Sequence, residues 1–87
     1  MKKVKLIDNI THQGIGGKWI ILEKHMKTDD APLNIALQNY LIRRNGEYAE
    51  EVYYGHINNL GYFVSEDEFA CEPVEATDED IRAAYKM

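Results

Sequence analysis

Apolar and polar positions along this chain repeat with two periods, and the switches between them mark the elements. Residues 3–7, Lys-Val-Lys-Leu-Ile, alternate with Val4 and Leu6 on one side, which predicts a short strand. From Lys18 to Met26 the chain is rich in β-formers and alternates partly, with Ile20, Leu22 and Met26 on one face and Trp19 and Ile21 on the other. Apolar groups on both faces predict a central strand. Between the two lies the glycine loop Gln13-Gly14-Ile15-Gly16-Gly17.

Residues 31–44 fit two periods at once. As a helix, Leu33, Ala36, Leu37, Tyr40 and Leu41 form one stripe, Asp30 is the N-cap, Pro32 sits in the first turn, and Asn45-Gly46 closes the end after Arg43-Arg44. As a strand, Ile35, Leu37 and Leu41 share a face, Asn45-Gly46 is a favoured hairpin turn, and Glu47 to Ile57 returns. That register sets Arg44 opposite Glu47 and Leu37 opposite Tyr54, but Leu41 opposite Glu50. Pattern counting favours the hairpin by a narrow margin. Asn58-Asn59-Leu60-Gly61 then reads as a turn and Tyr62-Phe63-Val64 as a short strand. Ser65-Glu66-Asp67-Glu68 matches a capping box opening one helical turn, which Pro73 ends. Thr77-Asp78-Glu79-Asp80 is a second cap, before a C-terminal helix from 78 to 86 with Ile81, Ala84 and Tyr85 along one face.

The fold class that follows is α+β: a small β-rich domain of four to five strands with a short C-terminal α-helix. One domain spans 1–87, mainly β over 1–64 and acidic over 65–87. The order of strand, glycine loop, strand, hairpin, short strand and turn resembles a small five-stranded barrel. The run Gly61-Tyr62-Phe63-Val64-Ser65-Glu66-Asp67-Glu68-Phe69 resembles the last strand and turn of a Src-homology-type barrel. That resemblance covers about half the chain and implies a fold, not a function. If the 31–57 region leaves a sheet edge bare, a homodimer would cover it.

Composition narrows the class. With 45% hydrophobic and 29% charged residues, this is an ordinary globular chain rather than a disordered one. One cysteine excludes an intramolecular disulfide. The longest apolar run, Trp19-Ile20-Ile21-Leu22, is too short to span a bilayer, and no signal-length apolar stretch follows the basic opening. A cytoplasmic protein is expected, in which the Asn9-Ile10-Thr11 sequon is idle.

Charge changes the picture more. The net charge of −5 conceals two unlike halves. Residues 1–46 carry eight Lys or Arg against four acids, a net of +4, and residues 47–87 carry two against eleven, a net of −9. Within 65–80 there are eight acids and no base. Such a segment repels phosphate and draws a cationic partner, although acidic surfaces also serve solubility and helix starts. It has the wrong sign for direct nucleic-acid binding.

No catalytic or metal motif survives inspection. The loop ending in Gly17-Lys18 lacks a Walker loop's glycine at His12 and its Ser or Thr at Trp19, and Trp19 also breaks the dinucleotide fingerprint. His12, His25, His56 and Cys71 are spaced too widely for a structural zinc site, and Glu66-Asp67-Glu68 lacks the pattern of a calcium loop. Cys71 lies among acids that raise a thiol's pKa, which marks a half-buried structural cysteine and not a nucleophile. His12 and His25 read as surface or strand residues.

The expectation is a non-enzymatic protein-binding module without cofactor or metal. Its contact residues are Glu66, Asp67, Glu68, Glu72 and Tyr62, with Tyr54 at the edge, set against a basic protein surface such as that of a nucleic-acid-binding protein. In size and acidity the chain resembles accessory proteins of phages and mobile elements, which implies inhibition of a host nucleic-acid enzyme. The alternative is a nucleic-acid or nucleotide binder that uses Lys2, Lys3, Lys5, Lys18 and Trp19 around the glycine loop.

Overall fold

The structure, a computed structural model, describes residues 1–7, 18–47 and 50–86. Among the described residues, five strands and two helices follow in the order β1 (Lys2–Lys5), β2 (Trp19–Lys27), α1 (Ile35–Asn45), β3 (Tyr54–Asn58), β4 (Phe63–Ser65), β5 (Val74–Glu75) and α2 (Asp78–Tyr85). Short 3-10 turns lie at Thr28–Leu33 and Glu66–Glu68. The strands form one antiparallel sheet in the order β4-β3-β2-β1-β5. The α+β class and the C-terminal helix are as read from the sequence. The glycine loop, His12 and the sequon lie outside the described residues.

The central position of β2 holds, but its facing is corrected. Leu22 pairs with Asn58 and Lys24 with Ile57, so β2 carries one extra residue there. A bulge of this kind reverses the in-out alternation beyond it. Met26 therefore leaves the face of Ile20 and Leu22. It packs with Ala31, Leu37, Tyr40, Leu41 and Phe63 in one buried cluster, while Ile20 and Leu22 join Val4, Leu6 and Val64 in another.

The hairpin expected over 31–57 is also corrected: the middle of that region is α1. Its N-cap is Asn34 and not Asp30, with Asn34 Oδ1 accepting the Leu37 amide at 3.2 Å. Gly46, at φ 76°, ends the helix in the left-handed conformation, and its amide donates to the Ile42 carbonyl. Asn45-Gly46 thus serves as a helix stop, and the return strand shrinks to Tyr54–Asn58. The two periods differ in what they bury. The helical one puts Leu37, Tyr40 and Leu41 together on one face, whereas the strand one would have set Leu41 against Glu50. The excursion is closed at its base, where the Thr28 amide donates to the Tyr53 carbonyl and the Tyr53 amide to Thr28 Oγ1, both at 2.9 Å.

The second cluster is sealed by the chain leaving β4. The Ser65–Glu68 capping box forms as expected, with the buried Glu68 carboxylate accepting the Ser65 amide at 2.9 Å. Residues 66–70 then cross to the far side of the sheet, where Phe69 bridges to Leu6 and the Ala70 amide donates to the Lys5 carbonyl at 2.7 Å. Phe69 packs on the Val4–Val64 cluster as it passes. α2, capped by Thr77 and Asp80, buries no residue fully; it is held by an ion pair from Lys3 to Asp80 at 3.0 Å, a bond from Asn59 to the Ala84 carbonyl, and Tyr85 donating to Glu23.

Gly55 leaves no room for a side chain between β3 and β4. A Cβ there would stand 2.0 Å from the Val64 carbonyl oxygen and 2.9 Å from the Phe63 ring. The neighbour is backbone and cannot rotate away. Gly55→Ala is therefore expected to destabilise the fold by about 3 kcal/mol or more, the upper end of overpacking penalties. Urea unfolding measures it, and an unchanged midpoint would refute the close packing of β3 on β4.

Candidate functional site

The acidic half does not occupy its own side of the molecule. β1 and β2, from the basic half, sit in the middle of the sheet, and β3, β4 and β5 flank them. Ion pairs accordingly join the halves: Lys3 to Asp80 at 3.0 Å, Arg44 to Asp67 at 3.6 Å, and His25 to Glu66 at 3.4 Å when the imidazole is protonated. These are solvent-accessible pairs, worth little individually to stability. Their larger effect is on the surface field, because part of the sequence's acidity is matched within the fold.

The six expected contact residues therefore part company. Glu68 is only 6% exposed and its carboxylate is engaged in the capping box. Asp67 reaches Arg44 on α1. Tyr62 is exposed beside the β3–β4 turn, where its amide donates to Asn58 Oδ1. Glu66 and Glu72 line one groove, and Tyr54 is linked to it through His25, which pairs with Glu66. Tyr54 stacks with His25 at 6.4 Å between centroids, His25 meets His56 edge-on at 5.0 Å, and His56 stacks with Phe69 at 6.0 Å.

This row of rings runs beside two adjoining grooves. One, of about 550 Å³, is lined by His56, Glu66, Phe69, Cys71, Glu72 and Pro73. The other, of about 360 Å³, shares His56, Glu72 and Pro73 and adds Lys2, Glu23 and His25. Cys71 is exposed rather than half-buried, because it lies in the irregular stretch between the Leu6–Phe69 bridge and β5. Burial, reinforced by the neighbouring His25, lowers the pKa of His56, and Glu66 opposes the shift more weakly. Its Nδ1 is buried without a hydrogen-bond partner. Among the described residues no group of three or more His, Cys, Asp or Glu is arranged to hold a metal ion.

Sequence reasoning missed His25 and His56 as a pair, and Phe69 and Pro73 as groove walls. His25 lies directly opposite His56 in the β2–β3 register. That register spans the α1 excursion, so no spacing in the sequence could reveal it. The only signal was the enrichment of aromatic residues.

The residues of the alternative reading also meet in part. Lys3 Nζ lies 4.5 Å and Lys5 Nζ 5.0 Å from the Trp19 ring centre, within cation–π range, and Trp19 is 47% exposed. Lys3 also holds Asp80, which offsets its charge. Comparison with known proteins finds no matching family model, and no curated protein or solved structure shows significant similarity to this chain.

The pKa of His56 carries a pH dependence whose sign is fixed. A histidine held below its ordinary value takes up its proton more readily in the unfolded chain. Its contribution is complete above about pH 6.5 and is lost as the pH falls through that value toward the folded pKa. The melting temperature is expected to drop between pH 7 and pH 5, and to drop less in His56→Gln. Parallel slopes in the two proteins would remove His56 as the titrating group.

Proposed function

We propose that this protein is a non-enzymatic protein-binding module whose ring-lined, acid-rimmed sheet face docks on a basic protein surface. The observation that carries this reading is the meeting of Glu66 and Glu72, two of the residues picked from sequence for partner contact, in one groove with His56 and Phe69, while Tyr54, a third, stacks on the adjoining His25. Rigid rings supply contact area at low entropic cost, and carboxylates at the rim steer a cationic partner. The partner class that fits is a nucleic-acid-binding protein or enzyme, whose cationic groove an acidic mimic would occupy as phage and mobile-element inhibitors do.

The same reading extends to the fold. The order β4-β3-β2-β1-β5, the bulge within β2, and a 3-10 turn before the last strand support a Src-homology-type barrel that carries α1 as an insertion between its second and third strands. Binding faces in small sheet domains of this kind are built where loops and strand ends converge.

The second reading, a nucleic-acid or nucleotide binder, is favoured by one observation: Lys3 and Lys5 over the exposed Trp19. Paired charge reversals separate the two. In a nuclease-treated host extract, a stoichiometric protein partner is expected to be retained by wild type and by Lys3→Glu/Lys5→Glu. It should be lost from Glu66→Lys/Glu72→Lys with circular dichroism unchanged, and displaced by added duplex DNA. Retention of oligonucleotide instead, weakening steeply with salt and abolished by Lys3→Glu/Lys5→Glu, would replace the first reading with the second.

A further inference from the structure

We infer that the groove between His56 and Glu72 receives an arginine side chain of the partner, a proposal that rests on the protein-binding reading above. The lining sets the charge of the guest. Glu66 and Glu72 rim the larger groove, which among the described residues has no lysine or arginine in its lining, while Glu23 joins them in the adjoining one, where Lys2 and the Met1 amino group supply the positive charge. His25 sits against Glu66 and counters it only when protonated. His56, disfavoured by burial from taking a proton, adds no repelling charge near neutral pH. Among charged guests, such a groove favours a cation.

The floor sets its shape. His56 and Phe69, with their planes 25° apart, line the groove together with the two carboxylates. A guanidinium is flat, weakly hydrated and carries N–H donors in its own plane, so it stacks on a ring while donating sideways to carboxylates. An ammonium is a compact, strongly hydrated point charge with no plane of its own to lay on a ring, so it matches rings and carboxylates together less well. The groove, about 550 Å³, falls within the usual volume range of small-molecule sites, more than a guanidinium needs.

The chain already uses this chemistry once, internally. The Arg44 guanidinium lies 5.1 Å from the Tyr53 ring centre and 6.0 Å from that of Tyr40, and it reaches Asp67 at 3.6 Å. Asp67 and Glu66 are neighbours on the same 3-10 turn. Asp67 serves the internal arginine, and Glu66 faces the groove with a second set of rings. Among the described residues no arginine lines that second set, so an arginine seated there would come from outside.

Titration of ¹⁵N-labelled protein at pH 7.5 with N-acetyl-arginine amide tests this. Saturable shifts are expected at Glu66, Phe69, Ala70, Glu72 and the His56 ring, at least about five-fold weaker with N-acetyl-lysine amide and absent with the neutral citrulline analogue. Glu66→Gln/Glu72→Gln should abolish them while the remaining spectrum is preserved. Equal affinity for lysine would overturn the arginine preference and leave the basic-partner reading standing. Equal shifts with citrulline would overturn both, since charge would then play no part. No saturable shift with any of the three would overturn the arginine site, and the charge-reversal capture experiment would judge the wider reading separately.

Discussion

Strand β2 can serve two cores because it gains a residue between its pairings at Leu22 and Lys24. A strand of nine residues in strict alternation would present all its even-numbered side chains to one side. With the bulge, Ile20 and Leu22 face the Val4–Val64 cluster and Met26 faces α1. A chain of 87 residues has too little interior for one large core. Dividing the apolar residues between the two faces lets a single sheet be covered on one side by a helix and on the other by its own crossing chain.

The candidate site is a consequence of that crossing. Residues 66–70 must pass over the sheet to bring β5 beside β1, and in doing so they lay Phe69 on His56. The same passage hangs Glu66 and Asp67 on opposite flanks, one toward the grooves and one toward Arg44. Glu68, third in the acidic run, is used up in capping. Three adjacent carboxylates thus take three different roles because a 3-10 turn spreads consecutive side chains around its axis.

Interleaving also alters what the charge asymmetry means. The halves of the chain differ by sign, yet Lys3, His25 and Arg44 each find an acid from the other half. Each of these surface pairs contributes little energy, but together they match part of the acidic half's charge with bases of the other half. What remains unmatched is a smaller acidic rim around rings.

The sequence by itself determined the elements whose signals are local. The capping boxes at Ser65 and Thr77, the turn at Asn58 to Gly61, the Val4–Leu6 alternation and the central role of β2 rest on residues within a few positions of one another. Residues 31–44 were legible only as a choice between two periods, since Asn45-Gly46 ends a helix as well as it turns a hairpin. Tertiary structure made that choice, because only the helix brings Leu37, Tyr40 and Leu41 together against Met26 and Phe63. It alone decided the bulge in β2, which depends on the register with β3 on the far side of α1. The pairing of His25 with His56 and the groove beneath Glu66 and Glu72 depend on contacts between residues far apart in the chain, and such contacts leave no spacing to read.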